Sequence, residues 1–296
     1  MDMRGFSSKS ALLPVITLAL IISACSDDTV TPRNSGEPPE LTMVVLADPH
    51  LDSEKEESIN NLERAVEYTN QLAPDLVMIC GDLIANDSDE NDASEFNRIK
   101  AQIDPSIEIF LTPGNHDLGE KVDEESLEFY RERLAEDKES AIINGYGIIS
   151  FNTSLIRLST GLGDEEKSQL DWLISELEAF EEMGIDEVYA MTHFPFFIEG
   201  PNEGNSSLNV PFVKRKAYLE VLHEFGVDAV FTGHYHGNLI KSYRDIELIT
   251  TGPLYRPTRS DLGFRVVKVF PDGLEHKFFK LDDPVEEIRE WYGNDL

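Results

Sequence analysis

The sequence predicts an α/β fold of two stacked, mixed β-sheets flanked by helices, and three observations predict it. Short apolar runs alternate with segments of helical period from Leu41 onward. After Gly237 the pattern changes to strands punctuated by glycine and proline, with no helix between them. Carboxylate, amide and imidazole side chains fall where the predicted strands end. Thr42 to Ala47 reads as a buried strand, Ser58 to Leu72 as a helix and Asp75 to Cys80 as a second strand. Ile107 to Thr112 makes a third strand, Glu124 to Ala135 a helix, and Ala141 to Asn152 one or two further strands. Asp164 to Phe180 sets Leu170, Leu173, Ile174 and Leu177 on one helical face, behind an acidic first turn that suits the helix dipole. Glu187 to Thr192 is then a strand, Val213 to Phe225 a helix and Val227 to Thr232 a strand. Leu239 to Tyr243, Ile246 to Thr251, Gly263 to Phe270 and Leu274 to Leu281 complete the later, helix-free block. The domain is therefore expected over residues 41–283, with 284–296 as a C-terminal tail.

The N-terminus differs in kind. Arg4 and Lys9 precede an apolar run, Ala11 to Ile22, and Ser23-Ala24 offers a small-residue cleavage site, so residues 1–24 read as an export signal. The run is shorter than the roughly 20 apolar residues a membrane-spanning helix needs. Ile22-Ser23-Ala24-Cys25 resembles the lipobox of bacterial lipoproteins, which implies that Cys25 is acylated and that the protein is held to a cell-envelope membrane, periplasmic or at the surface. Plain secretion with an incidental Cys25 is the alternative. The polar, proline-containing stretch that follows to Glu40 reads as a disordered tether reaching on the order of 20 Å. With Cys25 acylated, Cys80 has no cysteine partner, so stability must come from packing.

The charge balance narrows the function. The chain carries 57 acidic against 25 basic residues, a net charge of −32, and the acids are spread along its length. Such a surface repels nucleic-acid phosphates, whose binding relies on Lys and Arg displacing counterions, so a nucleic-acid-binding module is excluded. A phosphate substrate could approach closely only where bound cations reverse the field.

The candidate ligands sit at the C-terminal ends of predicted strands, the edge of an α/β sheet where loops converge on a ligand. Asp48 and His50 follow the first strand, Asp82 the second, Asn115 and His116 the third, His193 a later one, and His234 and His236 another. Singly the motifs are weak: Gly81-Asp82 suits a turn with a capping Asp, and His193 suits a core histidine. Gly114-Asn115-His116-Asp117 asks for more than a turn, and Gly233-His234-Tyr235-His236 can present two imidazoles on one side of an extended segment. Their order and setting carry the argument. Carboxylate, amide and imidazole donors without thiolate suit Mn, Fe or Zn.

This set resembles the calcineurin-like metallophosphoesterase family over roughly Leu41 to Leu281. The resemblance implies an αββα sandwich holding two metal ions, with Asp48, His50, Asp82 and His236 on one and Asp82, Asn115, His193 and His234 on the other. It implies hydrolysis of phosphate mono- or diesters by a hydroxide bridging the two ions, and the export signal sets that activity outside the cytoplasm. It places on His116 the stabilisation or protonation of the leaving oxygen, typically worth about 10² to 10⁴ in rate. Orienting Asn115 is the alternative role for His116. Asp117 is a second catalytic candidate, with helix capping or support of its neighbours as the other reading. Leu83-Ile84-Ala85 stands where purple acid phosphatases carry a tyrosine ligand, which argues against an iron–tyrosinate site. Cyclic-nucleotide phosphodiesterases and phosphoprotein or acid phosphatases are resembled equally. A non-catalytic metal-binding surface lipoprotein is the competing class, although a storage site has no use for His116.

Substrate selection is expected from the loop Phe194 to Pro211, which begins beside a ligand. Phe194 and Phe196 could stack on a nucleobase or a lipid, or could be loop core. Arg256 and Arg259, after Gly252-Pro253, could clamp a phosphate, or could pair with surface carboxylates.

Overall fold

The computed structural model describes residues 38–159, 161–256 and 261–293; the expected signal peptide, Cys25 and Arg259 lie outside them. In chain order the elements begin with β1 (Leu41–Leu46), α1 (Glu56–Leu72), β2 (Leu76–Cys80), α2 (Glu90–Lys100) and β3 (Glu108–Thr112). Next come α3 (Asn115–Leu118), α4 (Glu124–Arg133), β4 (Glu139–Ile143), β5 (Tyr146–Ser150), α5 (Thr153–Leu158) and α6 (Gly163–Glu182). The chain continues through β6 (Val188–Met191), α7 (Phe212–Glu224), β7 (Val227–Thr232), β8 (Leu239–Tyr243) and β9 (Ile246–Thr250). It closes with β10 (Gly263–Phe270), β11 (Gly273–Lys280) and α8 (Val285–Tyr292).

β1 shows why these segments become strands between two layers. Its side chains alternate: Val44 and Leu46 pack outward against Leu62, Ala65 and Val66 of α1. Met43, Val45 and Ala47 face inward against Ile148, Met191 and Phe231 of the other sheet. Burying each such side chain contributes about 1.5–3 kcal/mol, so a register slip of one residue would expose a whole face. A third apolar layer, with Leu173, Leu177 and Phe180 of α6 and Tyr218, Leu219 and Leu222 of α7, covers the outer face of the second sheet. The result is the expected αββα sandwich.

The strand orders are β11-β10-β1-β2-β3 and β4-β5-β6-β7-β9-β8. β1, β2 and β3 are mutually parallel, as are β5, β6, β7 and β9. Antiparallel pairing adds β10 and β11 at one edge of the first sheet, and β4 and β8 at the two edges of the second. Parallel strands deliver their C-terminal ends to one side of the sandwich, and that geometry gathers the site.

Several elements differ from expectation. α2 was not foreseen because only Ala93, Phe96 and Ile99 of its eleven residues are buried apolar groups; its start is fixed by Asp89, which accepts from the Asn91 and Asp92 amides. The buried face of α6 runs through Gln169, Leu173, Leu177 and Phe180, leaving Ile174 only partly covered. Residues 284–296, expected as a tail, include α8, whose Ile288 and Tyr292 are buried in the outer core of the first sheet. Ile288→Ala should accordingly lower the unfolding free energy by about 2–5 kcal/mol in urea titration; a change near zero would show that α8 is not integral to the domain.

Candidate metal centre

Each central parallel strand runs out into a loop that carries one group of the candidate residues. The loops after β1 and β2 stay zipped beyond the strand ends, with the Asp48 amide donating to Gly81 O at 3.2 Å and the His50 amide to Asp82 O at 2.8 Å. Backbone strain concentrates here. Of the nine described non-glycine residues with positive φ, five are Asp48, His50, Asp82, His234 and His236. This left-handed conformation costs roughly 1–2 kcal/mol per residue, and the surrounding hydrogen bonds hold it in place. Two motif glycines are required by close approach: a Cβ on Gly114 would stand 2.1 Å from Asp82 Oδ1, and one on Gly233 would stand 2.7 Å from Asp48 Oδ2.

The side chains converge in two clusters that share one carboxylate. One ligand atom from each of Asp48, His50, Asp82 and His236 lies within 4.8 Å of the others, and Asp82, His193 and His234 form a second such group. Asp82 turns Oδ2 toward His50 Nε2 at 3.6 Å and Oδ1 toward His193 Nε2 at 3.4 Å, so one oxygen faces each cluster. Asn115 brings Oδ1 to 3.2 Å from His193 Nε2, which places it in the second cluster. His50 and His236 face each other through Nε2 at 3.0 Å. Asp48 Oδ1 stands 3.3 Å from His236 Nε2.

The outer ring nitrogens fix the tautomers. Backbone carbonyls only accept, so His193 donates from Nδ1 to Cys80 O at 2.9 Å and His234 donates from Nε2 to Ser207 O at 2.9 Å. Their inner nitrogens, Nε2 and Nδ1, face each other at 3.2 Å and are left to offer lone pairs. Burial lowers the His50 pKa to about 4, and burial together with His193 lowers that of His234 to about 4, so both rings are neutral at pH 7, as a ligand must be. Burial opposes charge on His193, yet Asp82 and Asp48 raise its pKa to about 9, so the Nε2 lone pair becomes available only when a cation displaces the proton there. Burial likewise penalises the Asp82 carboxylate, and His193 nonetheless holds it well below the ordinary range. The two buried acids thus create a strongly negative potential with no Lys or Arg against them among the described residues, which is a demand for cations. Imidazole, amide and carboxylate donors fit that demand.

His116 stands exposed at the mouth, its ring edge-on to His50 with centroids 4.6 Å apart. Its backbone amide donates to Asp82 Oδ1 at 2.8 Å and its Nδ1 donates to Ala85 O at 2.9 Å, which leaves Nε2 free to meet a substrate.

Other expectations are corrected. Asp117 is fully buried, and its oxygens accept from the Gly114 amide at 2.7 Å and the Ile84 amide at 2.9 Å. It ties the loops after β2 and β3 together and is out of a substrate's reach. Phe194 and Phe196 are buried in the core beneath the second sheet, so neither offers a stacking face. Phe194 instead backs His234, ring centroids 4.0 Å apart. Arg256 is exposed one residue after Tyr255, whose amide donates to Asp48 O. Sequence reasoning missed Arg157, which lies over the Phe194 ring; the apolar run around it gave no sign that a loop would fold back over it.

Two donor clusters bridged by one carboxylate, at the strand ends of an αββα sandwich, define a dinuclear metallohydrolase. The calcineurin-like phosphoesterase model matches residues 41–238, and the chain belongs to that family: it is an enzyme acting on phosphoester bonds. It is 25% identical over 234 residues to "Serine/threonine-protein phosphatase CPPED1" of Mus musculus, covering 77% of this chain and 75% of the relative. The Homo sapiens protein of the same name is 25% identical over 242 residues, covering 79% and 77%. Among solved structures, a dimetal phosphatase from Danio rerio superposes with a TM-score of 0.58 at 15% identity, covering 83% of this chain and 98% of that one. The purple acid phosphatase PPD1 of yellow lupin gives 0.57 at 15% identity, covering 82% and 52%. These structural likenesses concern the fold.

Gly114→Ala tests the packing of the centre. The added methyl must displace Asp82, so the variant should fold but retain little metal after desalting, as read by elemental analysis. Full metal content would show that Asp82 can move without consequence.

Proposed function

We propose that the protein hydrolyses phosphate monoesters at a pair of metal ions, outside the cytoplasm, anchored by a lipid on Cys25. The observation that carries the reading is Asp82, with one oxygen toward each donor cluster and His116 beside it at the open mouth. Asp48, His50, Asp82 and His236 would hold one ion, and Asp82, Asn115, His193 and His234 the other, with Mn, Fe or Zn suited to the donors. When bound, the ions would supply Lewis acidity and lower the pKa of a water toward neutrality, so that a hydroxide is available as nucleophile toward phosphorus.

The chain's own residues do the rest. Asp48 and Asp82 provide the negative charge that retains the cations, and backbone amides of His234 and His116 hold those carboxylates in position. Carbonyls of Cys80 and Ser207 keep the two imidazoles turned with lone pairs inward. His116, oriented through its Nδ1–H, would in its imidazolium form carry on Nε2 the proton that the departing alkoxide or phenoxide needs, and return to the neutral ring on giving it up. The name of the curated relatives, serine/threonine-protein phosphatase, supports monoesters over diesters. Ile22-Ser23-Ala24-Cys25 supports export and the anchor.

Purified protein supplied with Mn should turn over p-nitrophenyl phosphate in preference to its bis-ester, and the reverse preference would sink the monoester reading. Asp82→Asn should lose metal and activity together. His116→Ala should keep its metal while losing about 10² to 10⁴ in kcat, and full rate in that variant would remove His116 from the mechanism. For the anchor, cells fed labelled palmitate should label the native protein and not Cys25→Ser, which should partition into the soluble fraction; an unlabelled native protein would refute the anchor.

A further inference from the structure

Arg157, on α5, belongs to the same loop cluster as His234. Its Nη1 donates to Asn209 O at 2.7 Å, and its guanidinium lies 5.1 Å from the centroid of the Phe194 ring. The same ring touches His234, and the same loop, two residues earlier, supplies the Ser207 carbonyl that accepts from His234. Arg157 is half-buried, yet no carboxylate among the described residues pairs with it, and burial alone lowers its pKa. Arg64, Arg256 and Arg289 also have no carboxylate partner among the described residues, but none of them lies on a ring that touches a candidate ligand. Arg98, Arg131, Arg133 and Arg244 each meet an Asp or Glu at 2.7–2.9 Å, and the fully buried Arg215 donates to the carbonyls of Val210, Pro201 and Glu203. The remaining donors of Arg157 are not buried without a partner, and so open to solvent. In a chain with net charge −32, an unpaired, partly desolvated guanidinium on a ring that touches a candidate ligand is placed to meet an anion.

We infer that Arg157 is a specificity residue, binding a second anionic group carried by the leaving part of the substrate. The inference rests on reading the centre as a phosphomonoesterase. The scissile phosphate belongs at the ligand clusters, and the Phe194 ring touches both His234 and the guanidinium, which sets the arginine one ring's breadth from the centre, the span of a group attached to that phosphate. Its planar fork of donors suits a carboxylate or a phosphate-like group.

The test compares the Mn-loaded native chain with Arg157→Gln, which keeps a donor for Asn209 O without the charge, and with Arg157→Lys, which keeps the charge without the fork. Substrates are 4-carboxyphenyl phosphate, 4-phosphonophenyl phosphate and the uncharged 4-acetamidophenyl phosphate. Because leaving-group effects cancel in the native-to-variant ratio, the loss in kcat/KM for Arg157→Gln should be about tenfold or more greater on a charged substrate than on the uncharged one, through KM. The two charged arms tell which group is preferred, and Arg157→Lys should recover part of the loss. Equal losses on all three substrates would reduce Arg157 to a support for Asn209 and overturn the proposal. Calorimetry with phenylphosphonate and 4-carboxyphenylphosphonate reads the same preference without turnover. It therefore still decides the role of Arg157 if the protein proves not to hydrolyse monoesters. A native chain that binds both phosphonates equally would overturn the proposal even if Arg157→Gln failed to fold.

Discussion

Two carboxylates buried at the edge of both sheets set the terms for the rest of the molecule. Asp48 and Asp82 are almost wholly removed from solvent, and among the described residues neither meets a lysine or arginine. Burying an unpaired carboxylate costs several kcal/mol, so the surroundings must supply compensating charge. They do so with backbone amides from the loops after β3 and β7 and with four imidazoles. A single imidazolium on His193, neutral rings on His50 and His234, and amide dipoles only part-compensate two full charges. Cations at the shared carboxylate complete the balance, and the same unbalanced potential that costs stability becomes the source of metal affinity.

That arrangement requires the backbone to approach itself closely and to adopt conformations it would otherwise avoid. The five ligand residues with positive φ and the glycines preceding Asp82, Asn115 and His234 serve one end. They let loops from five parallel strands turn inward within a few ångströms of one another. The rigid sandwich behind them absorbs the strain: β1, β2 and β3 on one side and β6 and β7 on the other are locked by the inter-sheet core. Loops alone could not hold such a set of turns.

Much of this was legible in the sequence, for identifiable reasons. The strands ending at the site are buried on both faces and read as continuous apolar runs, so their ends, and the ligand types just beyond them, could be placed within a residue or two. The motif glycines were visible as well. What escaped were features decided by tertiary contact. α2 has too little apolar surface to declare itself. Phe194 and Phe196 are chemically plausible stacking residues, and only the fold turns them into core. Asp117 and His116 are neighbours in one motif, yet a single helical turn sends one inward to the Gly114 and Ile84 amides and leaves the other at the mouth. Side-chain direction, not residue type, separates their roles.

The acidity of the chain and the chemistry of its centre then become compatible. At physiological ionic strength, charges interact appreciably over a Debye length of about 8 Å, so most of the 57 acidic residues are screened from a substrate already seated at the site. What the substrate meets within that range is set by a few groups: the ions at Asp82, the His116 ring, and the guanidinium of Arg157. The exposed arginines of α2 and α4 are paired with neighbouring glutamates. A strongly negative surface therefore does not oppose phosphate chemistry. Attraction for anions then falls to the cations that Asp48 and Asp82 would retain and to the guanidinium of Arg157.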